Sequence, residues 1–162
     1  MTASAAKRLG TALSASGKTL AVAESCTGGL LGGAVTSIPG SSLYFSGGVV
    51  AYGNSAKISL LGVPPALIST RGAVSREVAL AMAEGVLALL RADLAIAVTG
   101  VAGPGGGSRG KPVGTVWVAV VAAGGVRYAN RFRFPGSREA VRRETVRSSL
   151  DAAIDVLRSE GA

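Results

Sequence analysis

Helical and strand patterns alternate through the first half of the chain, then a glycine-centred hairpin and one long helix close it. That order predicts an α/β sandwich, a mixed β-sheet with helices on both faces. The length of 162 residues fits a single domain over residues 1–162 with one core. Residues of the apolar class make up 48% of the chain, with only one tryptophan, three tyrosines and three phenylalanines among them. Val, Leu, Ile and Ala must therefore fill that core.

Residues 2–16 carry apolar positions on one helical face, and Gly17 supplies the stop. Residues 19–23 form a short apolar strand. Thr27 is placed to cap a small-residue helix running to about Ser37, and residues 38–42 (Ile-Pro-Gly-Ser-Ser) read as a turn. Residues 43–52 are rich in β-branched and aromatic types and read as a strand interrupted at Gly47 and Gly48. Residues 54–61 read as a short helix capped by Asn54 and ended by Gly62. Ser75 opens the clearest helix, to Leu90, with Glu77 suiting its first turn. Residues 93–99 form a buried strand that feeds a glycine-rich loop, residues 100–110. Residues 114–123 and 126–134 pair around Gly124 and Gly125, and residues 136–159 form the closing helix. No linker, repeat or second domain is expected.

Composition narrows the chemistry. The single cysteine rules out an intramolecular disulfide and fits a reducing compartment. Residues 1–17 hold no uninterrupted apolar signal-peptide core, and the longest apolar run, residues 113–126, falls short of the about 20 residues a spanning helix needs. A cytoplasmic protein without membrane contact is expected. The net charge of +8 raises nucleic-acid binding. The excess is dispersed, however, apart from residues 127–147, where Glu139 and Glu144 stand among the arginines as on a solvated helix face. No zinc-finger spacing or aromatic RNA-binding pattern accompanies it, so a nucleic-acid partner is not expected. The chain has no histidine at all. That removes Ser-His-Asp triads, Cys-His dyads and histidine-held zinc, so no metal is expected, and any catalytic base must be Lys, Tyr, Asp or Glu.

Two segments could carry chemistry. Between Thr19 and Thr70 the only charged residues are Glu24 and Lys57. A lysine so isolated either reaches to solvent or is poised at a site. Glu24, Ser25, Cys26, Thr27, Gly28 and Gly29 lie where a strand turns into a helix, where backbone N–H groups lack helical partners. Such a turn can set a hydroxyl beside an oxyanion hole, and it is also an ordinary capped helix start. Serine needs a base, and a desolvated lysine can serve, because burial lowers its pKa. Tyr52, at a strand end, could orient that lysine or relay a proton; Cys26 is the rival nucleophile. In the second segment, Thr99 to Gly107, glycine amides could cradle an anion. Residues 105–111 match most of a P-loop, but Pro112 stands where a Ser or Thr should hold magnesium. Arg138, Arg142 and Arg143 begin the last helix, as a phosphate site or as a solvated basic face.

These strings together resemble the CinA C-terminal domain family: Ala23 to Gly29, Pro39 to Ser42, Tyr52 to Lys57, Gly72 to Ser75, Thr99 to Gly107 and Lys111 to Trp117. The resemblance runs from about residue 5 to 155. It implies nicotinamide-nucleotide amidohydrolase activity, which converts nicotinamide mononucleotide and water to nicotinic acid mononucleotide and ammonia. It implies a Ser–Lys mechanism on Ser25 and Lys57, assisted by Tyr52, without metal or other cofactor, in a homodimer. Substrate contacts would come from Cys26, Thr27, Gly28 and Gly29, from Thr99, Gly100, Ala102 and Gly103, and from Arg138 and Arg142. The amides near residues 27–29 are the expected oxyanion donors. No N-terminal domain of the kind found in longer relatives is expected, as in the stand-alone enzymes of the family; Gly53 stands where a larger polar residue is common. The competing reading is a non-enzymatic, basic nucleotide-binding module linked to competence or DNA repair.

Overall fold

The computed structural model describes residues 1–161. Five strands, β1 (Leu20–Glu24), β2 (Phe45–Val50), β3 (Leu94–Gly100), β4 (Thr115–Ala122) and β5 (Arg127–Arg133), form one sheet in the order β2-β1-β3-β4-β5. The first three are parallel, and β4 and β5 are antiparallel to their neighbours, so the sheet is mixed. Its helices are α1 (Thr2–Ser16), α2 (Leu30–Thr36), α3 (Asn54–Leu61), α4 (Pro65–Arg71), α5 (Arg76–Leu90) and α6 (Arg138–Glu160).

Side chains alternate across the pleat and divide the core into two layers. Leu20 and Val22 of β1 and Leu94, Ile96 and Val98 of β3 face α1, α2 and α6. Ala21, Ala23, Ala95 and Ala97 face the other way, toward α5. The helices thus cover both faces, as the element order predicts. Among the described residues no helix is long and apolar enough to cross a membrane.

Three local expectations are corrected. β2 is not interrupted at its glycines; the irregularity lies one residue earlier, where Leu20 pairs with Phe45 and Ala21 with Gly47. A Cβ on Gly48 would meet Val22 Cγ2 at 2.5 Å, so the glycine lets the two strands pack rather than breaking one of them. Thr27 does not cap α2: Gly29 is the capping residue, and the Thr27 hydroxyl donates instead to Glu24 Oε1. Asn54 is the first residue of α3, behind Gly53 as N-cap, and its side chain makes no capping bond. α4 is an additional helix, opened by Pro65, whose fixed φ suits a first turn. Ser75 does cap α5, accepting from the Val78 N–H. The segment with P-loop spacing runs into β4 rather than into a helix.

Glu24 and Val50, the last residues of β1 and β2, are in register with each other and Glu24 with Val98, beyond which β3 runs on to Gly100. In an open α/β sheet, ligands bind at such carboxyl ends, where neighbouring connections leave toward opposite faces.

Candidate active site

Glu24 ends β1, and the chain turns through Ser25 to Gly29 before α2 begins. The Ser25 N–H donates to Val98 O on β3, and the Ala51 N–H donates to Glu24 O, so the turn is tied to both neighbouring strands. The Glu24 carboxylate is buried under the start of α2. Its Oε1 accepts from the Thr27 hydroxyl at 2.6 Å and from the N–H groups of Gly29 and Leu31, while Oε2 accepts from Gly32 N–H. This chain's own carboxylate therefore fills the anion position that a helix N-terminus offers.

Lys57 reaches the same place from α3. It is 1% exposed, and its Nζ lies 3.0 Å from Ser25 Oγ, 3.0 Å from Ala51 O and 2.9 Å from Tyr52 O. None of the ion pairs among the described residues involves it. Burial pushes its pKa down, opposed in part by the neighbouring Cys26. Both neighbouring carbonyls can only accept. A neutral amine satisfies them with its two hydrogens and keeps its lone pair for the Ser25 hydroxyl, which is the arrangement a general base requires.

Cys26 is 5% exposed, and burial pushes its thiol up to about 11. A thiol held protonated is a poor nucleophile, so the environment favours Ser25 over its neighbour. Tyr52 contributes its backbone carbonyl to Lys57, while its exposed side chain accepts from Arg138 Nη2 at the hydroxyl. Arg138 Nη1 also donates to Gly103 O at 2.8 Å, which links Tyr52 to the glycine-rich loop.

Ser25, Cys26, Tyr52, Lys57, Thr99, Gly100, Ala102 and Arg138 line one pocket of about 210 Å³. Thr99 donates its hydroxyl to Ala73 O, which fixes the opposite wall. The other expected residues stand outside that lining. Gly103 supports the pocket through its bond to Arg138. The Gly28 N–H donates to Ser25 O and the Gly29 N–H to Glu24, so neither amide is free for an oxyanion, because the turn itself uses both. Arg142 points at the turn from behind, its Nε donating to Cys26 O at 3.0 Å and its Nη2 to Thr27 O at 3.1 Å. With Arg143 it lines a separate groove of about 710 Å³ between α2 and α6. Among the described residues no three His, Cys, Asp or Glu gather as a metal site.

The model of the CinA C-terminal domain family matches residues 2–157. The chain belongs to this family. It is 54% identical over 143 residues to a CinA-like protein of Desulfotalea psychrophila, an alignment covering 88% of this chain and 34% of that protein. A CinA-like protein of Geobacter metallireducens is 54% identical over 135 residues, covering 83% of this chain and 32% of the relative. The chain thus spans about a third of the length of these curated relatives. Among solved structures, the competence/damage inducible protein CihA from Agrobacterium tumefaciens superposes with a TM-score of 0.94 at 45% identity, covering 97% of this chain and 95% of the other. A CinA superfamily protein from Klebsiella pneumoniae gives 0.94 at 38% identity, covering 98% and 99%.

Three pocket residues of this CinA-family domain were not singled out from the sequence. Asn54, Ala73 and Val74 complete the lining. Asn54 belongs to the same Tyr52-to-Lys57 string that carries the lysine, but its residue type points to a helix cap, and the structure places it in the pocket instead. Ala73 and Val74 lie in the string from Gly72 to Ser75, whose small apolar residues carry no chemical signal of their own.

Proposed function

We propose that this CinA-family domain is an amidohydrolase that converts nicotinamide mononucleotide and water to nicotinic acid mononucleotide and ammonia, with Ser25 as nucleophile and Lys57 as base. The observation that carries the proposal is the buried Lys57 amine, without a carboxylate partner, 3.0 Å from Ser25 Oγ. Lys57 takes the Ser25 proton as Oγ attacks the carboxamide carbon. The C–N bond then breaks, ammonia leaves with the proton returned by Lys57, and water hydrolyses the remaining ester to regenerate Ser25. A neutral base also avoids repelling the cationic pyridinium ring of the substrate. The pocket lies below the common range of about 300–1,000 Å³ for ligand cavities. It suits one ring with its carboxamide, and the ribose phosphate would extend toward Arg138 and the glycine-rich loop, where Ala102 and Gly103 lie. The reaction uses no metal or other cofactor and belongs to the cytoplasm.

The Agrobacterium relative is named for competence and damage, which would also suit a nucleotide-binding module without catalysis. A solvated lysine would serve such a module as well as a buried one; the burial of Lys57 against a hydroxyl favours the enzyme. Incubating the purified protein with nicotinamide mononucleotide decides the matter. Ammonia and nicotinic acid mononucleotide should accumulate in equal amounts, and a folded protein that binds the nucleotide but releases neither would establish the binding module.

We also propose that two copies associate through the β2 edge of the sheet. The segment from Thr19 to Thr70, which includes β2, has only two charged residues, and both Glu24 and Lys57 are buried.

A further inference from the structure

The turn that carries Ser25 leaves two of its backbone N–H groups without an acceptor on another residue among the described residues, those of Cys26, which lies beside its own thiol, and Thr27. Thr27 is wholly enclosed, whereas Cys26 lines the Ser25 pocket. The amide of the residue after a nucleophile is a recurrent oxyanion donor. Its direction depends on how the turn is held from the other side, and Arg142 supplies that hold. One planar guanidinium donates to two successive carbonyls, Cys26 O and Thr27 O. Gly28, at φ +56°, gives it room: a Cβ there would stand 3.2 Å from Arg142 Nη2. Each peptide is planar and trans, so holding Cys26 O and Thr27 O on the α6 side turns away from α6 the N–H groups of those same units, which belong to Thr27 and Gly28. The Gly28 N–H so directed donates to Ser25 O, and the Ser25 carbonyl shares its peptide unit with the Cys26 N–H, which is thereby turned the opposite way.

We propose that Arg142 is a positioning residue for the reaction, not a ligand of the substrate phosphate. By clamping the Cys26 and Thr27 carbonyls it holds Ser25 Oγ against Lys57 and presents the Cys26 N–H as the oxyanion donor. This rests on the amidase reading for its substrate but not for its geometry. Lysine cannot replace it, because a point charge on a flexible stem does not bridge two carbonyls in a fixed fork. Loss of such positioning costs about 10–100-fold in rate.

The test compares wild type, Arg142→Lys and Arg142→Ala on nicotinamide mononucleotide and on nicotinamide riboside, which lacks the phosphate. Thermal unfolding is recorded for each protein. The expected result is a fall in kcat of about 10–100-fold on both substrates with KM for the mononucleotide little changed. A rise in KM confined to the mononucleotide, with kcat intact, would make Arg142 a phosphate ligand and overturn the proposal. A second readout uses a fluorophosphonate, which bonds to Ser25 Oγ with loss of fluoride as Lys57 takes the proton. Labelling of Ser25, followed by mass spectrometry, should slow in both variants at unfolding temperatures close to wild type, and unchanged labelling overturns the clamp. If wild type labels at Ser25 but releases no ammonia, the substrate reading fails and the labelling rates alone decide the clamp. A wild type that does neither overturns both.

Discussion

At the residue scale, the chemistry turns on which atom of a buried side chain remains free. Lys57 Nζ has two carbonyl acceptors and one hydroxyl within 3.0 Å, so its neutral form has a partner for each hydrogen and for the lone pair. Ser25→Ala removes the group that this lone pair serves and should lower ammonia release by at least about 10³-fold. Cys26→Ala should keep most of the activity, because its thiol is pushed up to about 11 and stays protonated. Quantifying ammonia from both variants checks the pair, and the opposite ranking would transfer the nucleophile to Cys26. Lys57→Arg should be nearly inactive, since guanidinium keeps its proton at any working pH. The lowered Lys57 pKa also fixes the sign of two pH effects. Activity should rise with pH as the amine deprotonates. Between the lowered folded-state pKa and the reference value of about 10.4, the unfolded chain binds more protons at this residue than the folded one, so stability also rises with pH. The contribution is complete above the unfolded value and is lost as pH falls through the folded one. Lys57→Met should lack that part of the slope. Melting temperatures of the two proteins across the alkaline range check this, and parallel curves would mean that Lys57 is not held neutral.

At the element scale, the site depends on how α2 begins. Glu24 meets one hydroxyl and three N–H groups there, and no cation pairs with it among the described residues. Glu24→Ala would leave these donors unsatisfied in a buried space, where an orphaned polar group costs about 1–3 kcal/mol. The expected loss is about 2–4 kcal/mol, or roughly 4–16 °C in Tm at about 2–4 °C per kcal/mol for a domain of this size. Glu24→Gln, which keeps one acceptor oxygen, should lose less. Calorimetry checks the order, and an alanine variant as stable as wild type would show that water serves these amides equally well. The same junction shows what the sequence could reveal. The strand-to-helix turn, the isolated lysine and the absence of histidine were all legible, because apolar periodicity and residue chemistry are local. The cap was not: Thr27 has the right side chain for it, but Glu24, three residues earlier, competes for its hydroxyl at 2.6 Å. α4 was assigned no element from the sequence: it opens on two prolines, Pro64 and Pro65, and only seven residues carry its pattern, although Pro65 suits a first turn. Arg142 lies 116 residues from Cys26, and only the packing of α6 beside α2 brings them together.

At the scale of the whole molecule, the two edges of the sheet differ in charge. β5 carries Arg127, Arg131 and Arg133, a basic edge that repels another copy of itself. β2 has no charged residue, and exposed apolar groups lie on it and beside it: Val50 on the strand, Leu43 before it, Tyr52 after it and Leu30 at the start of α2. Gly29 joins these positions, since a Cβ there would lie 3.9 Å from Val50 Cγ2. On a chain with a net charge of +8, two copies meet with least repulsion at the surface that has no charge. Burial of these apolar groups would contribute about 25 cal/mol for each Å² removed from water. Wild type should therefore sediment as a dimer at micromolar concentration, and Val50→Lys combined with Leu43→Lys should shift it to monomer with the fold intact by circular dichroism. Replacing Arg131 and Arg133 by Glu on the opposite edge should leave the dimer in place. Sedimentation velocity on the three proteins distinguishes the edges: a dimer that survives both β2 lysines but dissociates with the β5 glutamates would move the interface across the sheet.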